Sequence, residues 1–157
     1  MKRILVLCTG NSARSQMAHG YLQHFADTSD RGPRAEDFNA GVAPHGVNLL
    51  SIQVMAEVGL DISHLTSNHV DEYRAIDFDY VITVCDNARE QCPYFPSSAE
   101  RGDARRIHQS FPDPDLQPGL DALTSFRQVR DQIKAYSQDF MAACLPDSQP
   151  ISYGTTD

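Results

Sequence analysis

The chain has 157 residues, a formal charge of −8 and 41% hydrophobic residues, which is enough to fill one domain core. It lacks an apolar run of membrane-spanning length, and an acidic balance without a basic stripe argues against a nucleic-acid partner. Four cysteines, at positions 8, 85, 92 and 144, show no paired zinc-ligand spacing and point to catalytic or redox use rather than a disulfide framework.

Met1-Lys2-Arg3 leads straight into an apolar run too short for a signal peptide, so a cytoplasmic location is expected. That run, residues 3–7, predicts the first strand, and a helix follows over residues 15–25. Residues 28–34 read as a polar loop and residues 36–39 as a short strand that ends at Gly41. Pro44-His45-Gly46 is turn chemistry; Asn48 caps a helix through Val58, and Gly59 stops it. Ser67 or Asn68 begins a short helix around residues 70–76, and residues 80–84 form a buried strand rich in β-branched side chains. Residues 86–106 read as a long functional loop with one helical turn, and residues 106–108 as a last strand. Phe111-Pro112-Asp113-Pro114 is a rigid turn. Residues 120–141 carry Leu123, Phe126, Val129, Ile133 and Phe140 at helical spacing. The alternation of strands and helices predicts an α/β fold with a parallel sheet, in a domain of residues 1–143 followed by a disordered tail, 144–157.

The chemistry concentrates in Cys8-Thr9-Gly10-Asn11-Ser12-Ala13-Arg14-Ser15, between the first strand and the first helix. Backbone N–H groups of such a loop, with the helix N-terminus behind them, favour a bound oxyanion. The same field lowers the pKa of a thiol pointing into it, so Cys8 is expected to be a thiolate near neutral pH. Arg14 offers a planar fork to two oxygens of a tetrahedral anion, Gly10 and Asn11 permit tight backbone turns, and Ser15 is placed to donate to the sulfur. The site is shaped to attack phosphate or something like it. A Cys and an Arg at this spacing also arise by chance, and Cys8 could be a small buried hydrophobe at a strand end; the surrounding residues favour the nucleophile.

Two further features support that reading. Cys85 directly follows the strand at 80–84, and Cys92 comes seven residues later. If that segment is helical, two turns separate the Cα atoms by roughly 10 Å, whereas a disulfide needs roughly 4.4–6.8 Å. The pair can bond only if the segment unwinds, which would make it a redox switch. Asp113, bracketed by Pro112 and Pro114, is the candidate proton donor to a leaving oxygen, because like-charge repulsion beside a bound anion keeps a carboxyl protonated. Asp115 is a nearby competitor without the flanking prolines. The six histidines form no recognised metal-ligand set, and Arg127, Arg130 and Lys134 read with Asp131 as a charged outer helix face.

Taken together, these segments resemble the thioredoxin-coupled arsenate reductases of the low-molecular-weight protein tyrosine phosphatase superfamily. The matching stretches are residues 8–18, His45-Gly46-Val47-Asn48, Asp61-Ile62-Ser63, Ile82-Thr83-Val84-Cys85, Cys92-Pro93, the turn at 111–114, and residues 126–131. The resemblance implies a three-layer fold with a central four-stranded parallel sheet flanked by helices. It implies that Cys8 attacks arsenate held by residues 9–15, that Asp113 protonates the departing oxygen, and that Cys85 then attacks Cys8 to release arsenite. Cys92 would take over the disulfide and thioredoxin would reduce it. Phosphate and sulfate are the expected substrate analogues. Some relatives also bind potassium beside the loop; Asn11 matches, but Asn39, His19 and Asn68 stand where Ser, Glu and Asp are expected, and the missing carboxylates argue against that ion.

The rival enzyme is a tyrosine phosphatase on the same fold. Asp115 and Leu116 after Pro114 give no aromatic wall for a phosphotyrosine ring, although weak phosphatase activity is compatible with the loop. Glutathione with glutaredoxin remains open as an alternative to thioredoxin. A non-catalytic anion-binding regulator is a third reading, and intact Cys8, Arg14 and Asp113 count against it.

Overall fold

A computed structural model describes residues 1–28, 34–93, 104–116 and 119–145. Four parallel strands, β1 (Lys2–Cys8), β2 (Ala35–Gly41), β3 (Tyr80–Thr83) and β4 (Arg105–His108), lie in the order β2-β1-β3-β4. The helices α1 (Arg14–Asp27), α2 (Leu49–Glu57), α3 (Asp86–Gln91) and α4 (Ala122–Cys144) flank this sheet. The unbroken run Ile4-Leu5-Val6-Leu7 suits β1 to its central place, since a strand covered on both faces carries no polar alternation. From β1 the chain passes to β2 on one side and later to β3 on the other, so the carboxyl ends of β1 and β3 form the crevice where such sheets bind ligands.

The register brings the two chemical segments to that crevice. Leu7 pairs with Thr83, and the Val84 N–H donates to the Leu7 carbonyl at 3.0 Å. Cys8 and Cys85 therefore leave the sheet side by side. Local signals place the helices. The Asn48 side chain accepts from the Leu50 N–H at 2.7 Å to cap α2, and Asp121 accepts from Thr124 at 2.9 Å to cap α4. Gly59, with φ of +82°, follows α2 in the left-handed conformation that glycine tolerates.

Several expectations change. The short helix at 70–76 is a single 3-10 turn, Val70–Tyr73, capped by His69 rather than by Ser67 or Asn68. The Asn68 backbone is committed elsewhere: its N–H donates to the Asn11 side chain and its carbonyl accepts from Gly41. The loop at 86–106 begins as the helix α3 and ends as β4; its middle, 94–103, lies outside the described residues. The tail does not start at 144. Cys144 belongs to α4, and Leu145 is buried with its carbonyl accepting from Arg34, while residues 146–157 lie outside the described residues. Among the described residues no helix is long and apolar enough to cross a membrane.

Arg130 is also not on an outer face. It is 9% exposed and donates to the Val54 carbonyl at 3.0 Å and to Glu57 at 2.9 Å, tying α4 to the end of α2. Arg127 grips the same Glu57 from the exposed side at 2.6 Å. Arg130→Met keeps the apolar stem but leaves a buried carbonyl without its donor. It is expected to lower stability in urea unfolding by about 2 kcal/mol, and Arg127→Met by clearly less, because exposed ion pairs contribute little.

Candidate active site

The loop between β1 and α1 is held open by the segment that follows β2. The carbonyls of Cys8, Thr9, Gly10 and Ser12 accept from the N–H groups of Val42, Ala43, His45 and Asn48 at 3.2, 2.9, 3.0 and 2.9 Å. In a planar trans peptide the N–H points opposite its carbonyl. Drawing these carbonyls outward therefore turns the N–H groups of Thr9, Gly10, Asn11 and Ala13 inward, toward the space above Cys8. Two glycines make the close approach possible. A Cβ on Gly10 would stand 2.2 Å from His45 Nε2, and one on Gly41 would stand 2.7 Å from the Thr9 carbonyl oxygen.

Asn11 pins the turn. It takes a φ of +49°, a conformation that Asn tolerates better than most residues, and it is fully buried. Its Nδ2 donates to Ser15 Oγ at 2.8 Å and to Asn39 Oδ1 at 2.7 Å, and its Oδ1 accepts from the Asn68 N–H at 2.7 Å. The bond the structure gives Ser15 thus comes from Asn11, where a bond to the Cys8 sulfur was expected.

The cradle is a cavity of about 170 Å³, with Cys8 at its floor and Arg14 and Asp113 on its wall. Arg14 Nη1 is fixed by the Phe111 carbonyl at 3.0 Å, and its Nη2 lies 3.8 Å from Asp113 Oδ2. Every residue expected in the site from 8 to 15, together with Asp113, is gathered at this one edge of the sheet. Asp115 and His45 also line the cavity. His45 had been read only as turn chemistry; its place follows from the return of the chain after β2. A larger hollow of about 280 Å³, beside α1, is lined by His19, His24 and His64 but by no cysteine.

Cys8 Sγ donates to Cys85 Sγ at 3.8 Å, and the Thr9 hydroxyl lies 3.2 Å from Cys85 Sγ. Cys92, half-buried, sits at the far end of α3, so the two partner cysteines bracket that helix. The charge distribution differs from the expected one. Its bond to Cys85 and burial push the Cys8 thiol up, against the pull of Arg14 and the Thr9 amide. Cys85 falls to about 5 through the proton donated by Cys8, the Thr9 hydroxyl, the Ala88 N–H and Arg14. The two thiols thus share one proton and one negative charge across this contact, and the shifts favour the charge on Cys85. Burial pushes the Cys92 thiol up.

Residues 3–149 match the low molecular weight phosphotyrosine protein phosphatase family. The chain belongs to that family. A relative named arsenate reductase from Halalkalibacterium halodurans is 40% identical over 134 residues, spanning 84% of this chain and 89% of its own. A solved arsenate reductase in a phosphate-binding state superposes with a TM-score of 0.68 at 30% identity, covering 91% of this chain and 98% of the other. The low molecular weight protein tyrosine phosphatase of T. tengcongensis shares the fold, with a TM-score of 0.72 at 20% identity over 91% of this chain and 99% of its own.

The potassium ion of some members of this phosphatase family does not suit the residues present. His19 Nδ1 lies 2.6 Å from Asn39 Nδ2, and the oxygens of Asn39, Asn11 and Asn68 already accept from Asn11, from the Asn68 N–H and from Thr66. Burial and the neighbouring His64 lower His19 to about 4, so its imidazole is neutral. Asp37 is the buried acid in a separate hollow that His19, Asn39 and Asn68 also line, and burial raises its pKa, which favours a proton over a cation. Among the described residues, no group of three acidic, histidine or cysteine side chains is placed to hold a metal ion.

Two measurements follow from this geometry. A cation bound only to the folded protein at a hundred times its Kd would add about 2.7 kcal/mol; exchanging potassium for choline at constant ionic strength is expected to leave Tm unchanged. Thiolate absorbance, followed during acidification, is expected to lose one equivalent with a midpoint near 5. In Cys8→Ala that midpoint should rise toward the ordinary thiol value, because the sulfur-to-sulfur donor is gone; an unmoved midpoint would refute the shared charge.

Proposed function

We propose that this protein reduces arsenate to arsenite through a covalent adduct on Cys8 and a relay over Cys85 and Cys92, with thioredoxin restoring the thiols. The observation that carries this reading is the 3.8 Å contact between Cys8 and Cys85 at the floor of an anion cradle. A phosphatase needs the cradle and an acid but no second thiol in van der Waals reach of the first.

The anion enters the cradle against the inward N–H groups of Thr9, Gly10, Asn11 and Ala13 and the Arg14 fork. The Cys8 proton passes to Cys85, the Cys8 thiolate attacks arsenic, and Asp113 protonates the departing oxygen. Cys85 gives up that proton to solvent and attacks Cys8 Sγ as the thiolate. The sulfur–arsenic bond breaks with its electron pair on arsenic, arsenite leaves, and a Cys8–Cys85 disulfide remains. The Cys92 thiolate then attacks Cys85 Sγ, returning an electron pair to Cys8 and forming Cys85–Cys92. Reduced thioredoxin supplies two electrons to that disulfide. The relay needs Cys8, Cys85 and Cys92 as thiols at rest, and a reducing cytoplasm is the compartment that keeps them so.

The same cradle accepts phosphate by shape and charge, so slow hydrolysis of aryl phosphates belongs to the proposal as a side activity. Arsenate-dependent NADPH oxidation with thioredoxin and thioredoxin reductase tests the whole. Steady turnover is expected, and Cys92→Ser should release one arsenite per enzyme and then stop. Turnover only with glutathione and glutaredoxin would move the final donor. Good aryl-phosphate hydrolysis with no arsenate reduction would make the protein a phosphatase.

A further inference from the structure

His108 lies outside the anion cradle, yet it holds both flanks of Cys85. Its ring sits at the end of β4, opposite Thr83 in the parallel pairing with β3. Nδ1 lies 2.7 Å from the buried Thr83 hydroxyl, and Nε2 lies 2.9 Å from Asp86 Oδ1, on the first residue of α3. A carboxylate only accepts, so Nε2 carries the proton toward Asp86 and Nδ1 accepts from Thr83. One imidazole thus joins the residue two before Cys85 to the residue just after it.

We infer that His108 is a positioning residue of the thiol relay: its Thr83–His108–Asp86 clasp holds Cys85 against Cys8 and opposes the passage of Cys85 to Cys92. The inference rests on the relay proposed above. In the clasped state α3 is a helix with the two cysteines at its ends, a separation of roughly two turns that no disulfide spans. Forming Cys85–Cys92 requires the first turn of α3 to leave the sheet edge. Among the described residues two side-chain bonds tie that turn down, Asp86 to His108 and Asn87 Nδ2 to Thr9 Oγ1 at 2.9 Å, and only the second involves the anion loop. The clasp therefore exists with the helix formed and is lost with the Cys85–Cys92 disulfide. By linkage, removing it favours the disulfide while loosening Cys85 for its attack on Cys8.

The test uses the full chain and Asp86→Ala, a safe change because the Asp86 side chain is 77% exposed, beside His108→Ala. Asp86→Asn is the control: it removes the charge from the start of α3 but keeps an acceptor for Nε2. Glutathione redox titration in a Cys8→Ser background is expected to show the Cys85–Cys92 disulfide about tenfold more stable in the two alanine variants, about 30 mV for this two-electron couple. Asp86→Asn should stay within about threefold of the parent. In the Cys8-containing protein, arsenite release in a single turnover should slow about fivefold in the alanine variants, with phosphate affinity unchanged. A mere loss of stability would not strengthen the disulfide and slow the first step together. Unchanged potential and rate, with Cys85–Cys92 mapped by mass spectrometry after arsenate turnover, would overturn the clasp alone. Failure of the parent protein to form that disulfide would overturn the relay and the clasp with it.

Discussion

The site depends on the pairing of Leu7 with Thr83 in adjacent parallel strands. Cys85 leaves the sheet two residues after Thr83, so a slip of one residue would carry it about 3.3 Å along β1 and change the distance between the sulfurs. Register is costly to change here because β1 is buried on both sides, from Ile4 to Leu7. The hydrophobic core thus sets the distance between two thiols that the chain places 77 residues apart. Packing energy, rather than any local feature of the loop, brings them together.

A second constraint acts on the anion loop. Its carbonyls are engaged by the backbone at 42–48, and its central turn by the buried amide of Asn11. A loop that must bind an anion cannot also be held by that anion, so the donors are fixed from behind before any ligand arrives. The close packing that does this leaves no room for a Cβ at position 41, where the Thr9 carbonyl and the Asn11 backbone stand; at position 10 the near neighbour is the exposed His45 ring. It also gives His19 and Asn39 a structural part, and leaves no carboxylate among the residues expected to hold a cation. The cavity's acidic neighbours, Asp113 and Asp115, sit inside a chain of net negative charge. Arg14 and the inward N–H groups therefore supply the local positive field.

Much of this was legible in the residues. The unbroken apolar run gave β1 away, Asn48 announced the cap of α2, and the cysteine–arginine loop after a strand announced the cradle. These signals are local: they depend on neighbours within a few residues. The features that were misread are those in which a distant partner outweighs local character. Arg130 belongs to a charged segment, but the end of α2 buries it. Cys144 and Leu145 precede a polar stretch, yet Arg34 and the core retain them. His69 caps the 3-10 turn because Asn68 is taken by Asn11.

The sequence by itself singled out the candidate groups for chemistry: a thiol in an anion loop, an arginine fork, a proline-bracketed acid and a spaced pair of further thiols. It also set a condition: if the segment between Cys85 and Cys92 is helical, it must change shape for those two to bond, and the structure then made it the helix α3. Only the tertiary structure put the two thiols in position to share a proton, because that depends on a sulfur-to-sulfur contact across two strands and on burial. The tertiary structure alone also brought His45 to the cradle and His108 to both sides of Cys85. Such contacts arise from strand order and register, which set distances between residues far apart in the chain and leave no periodic trace in it.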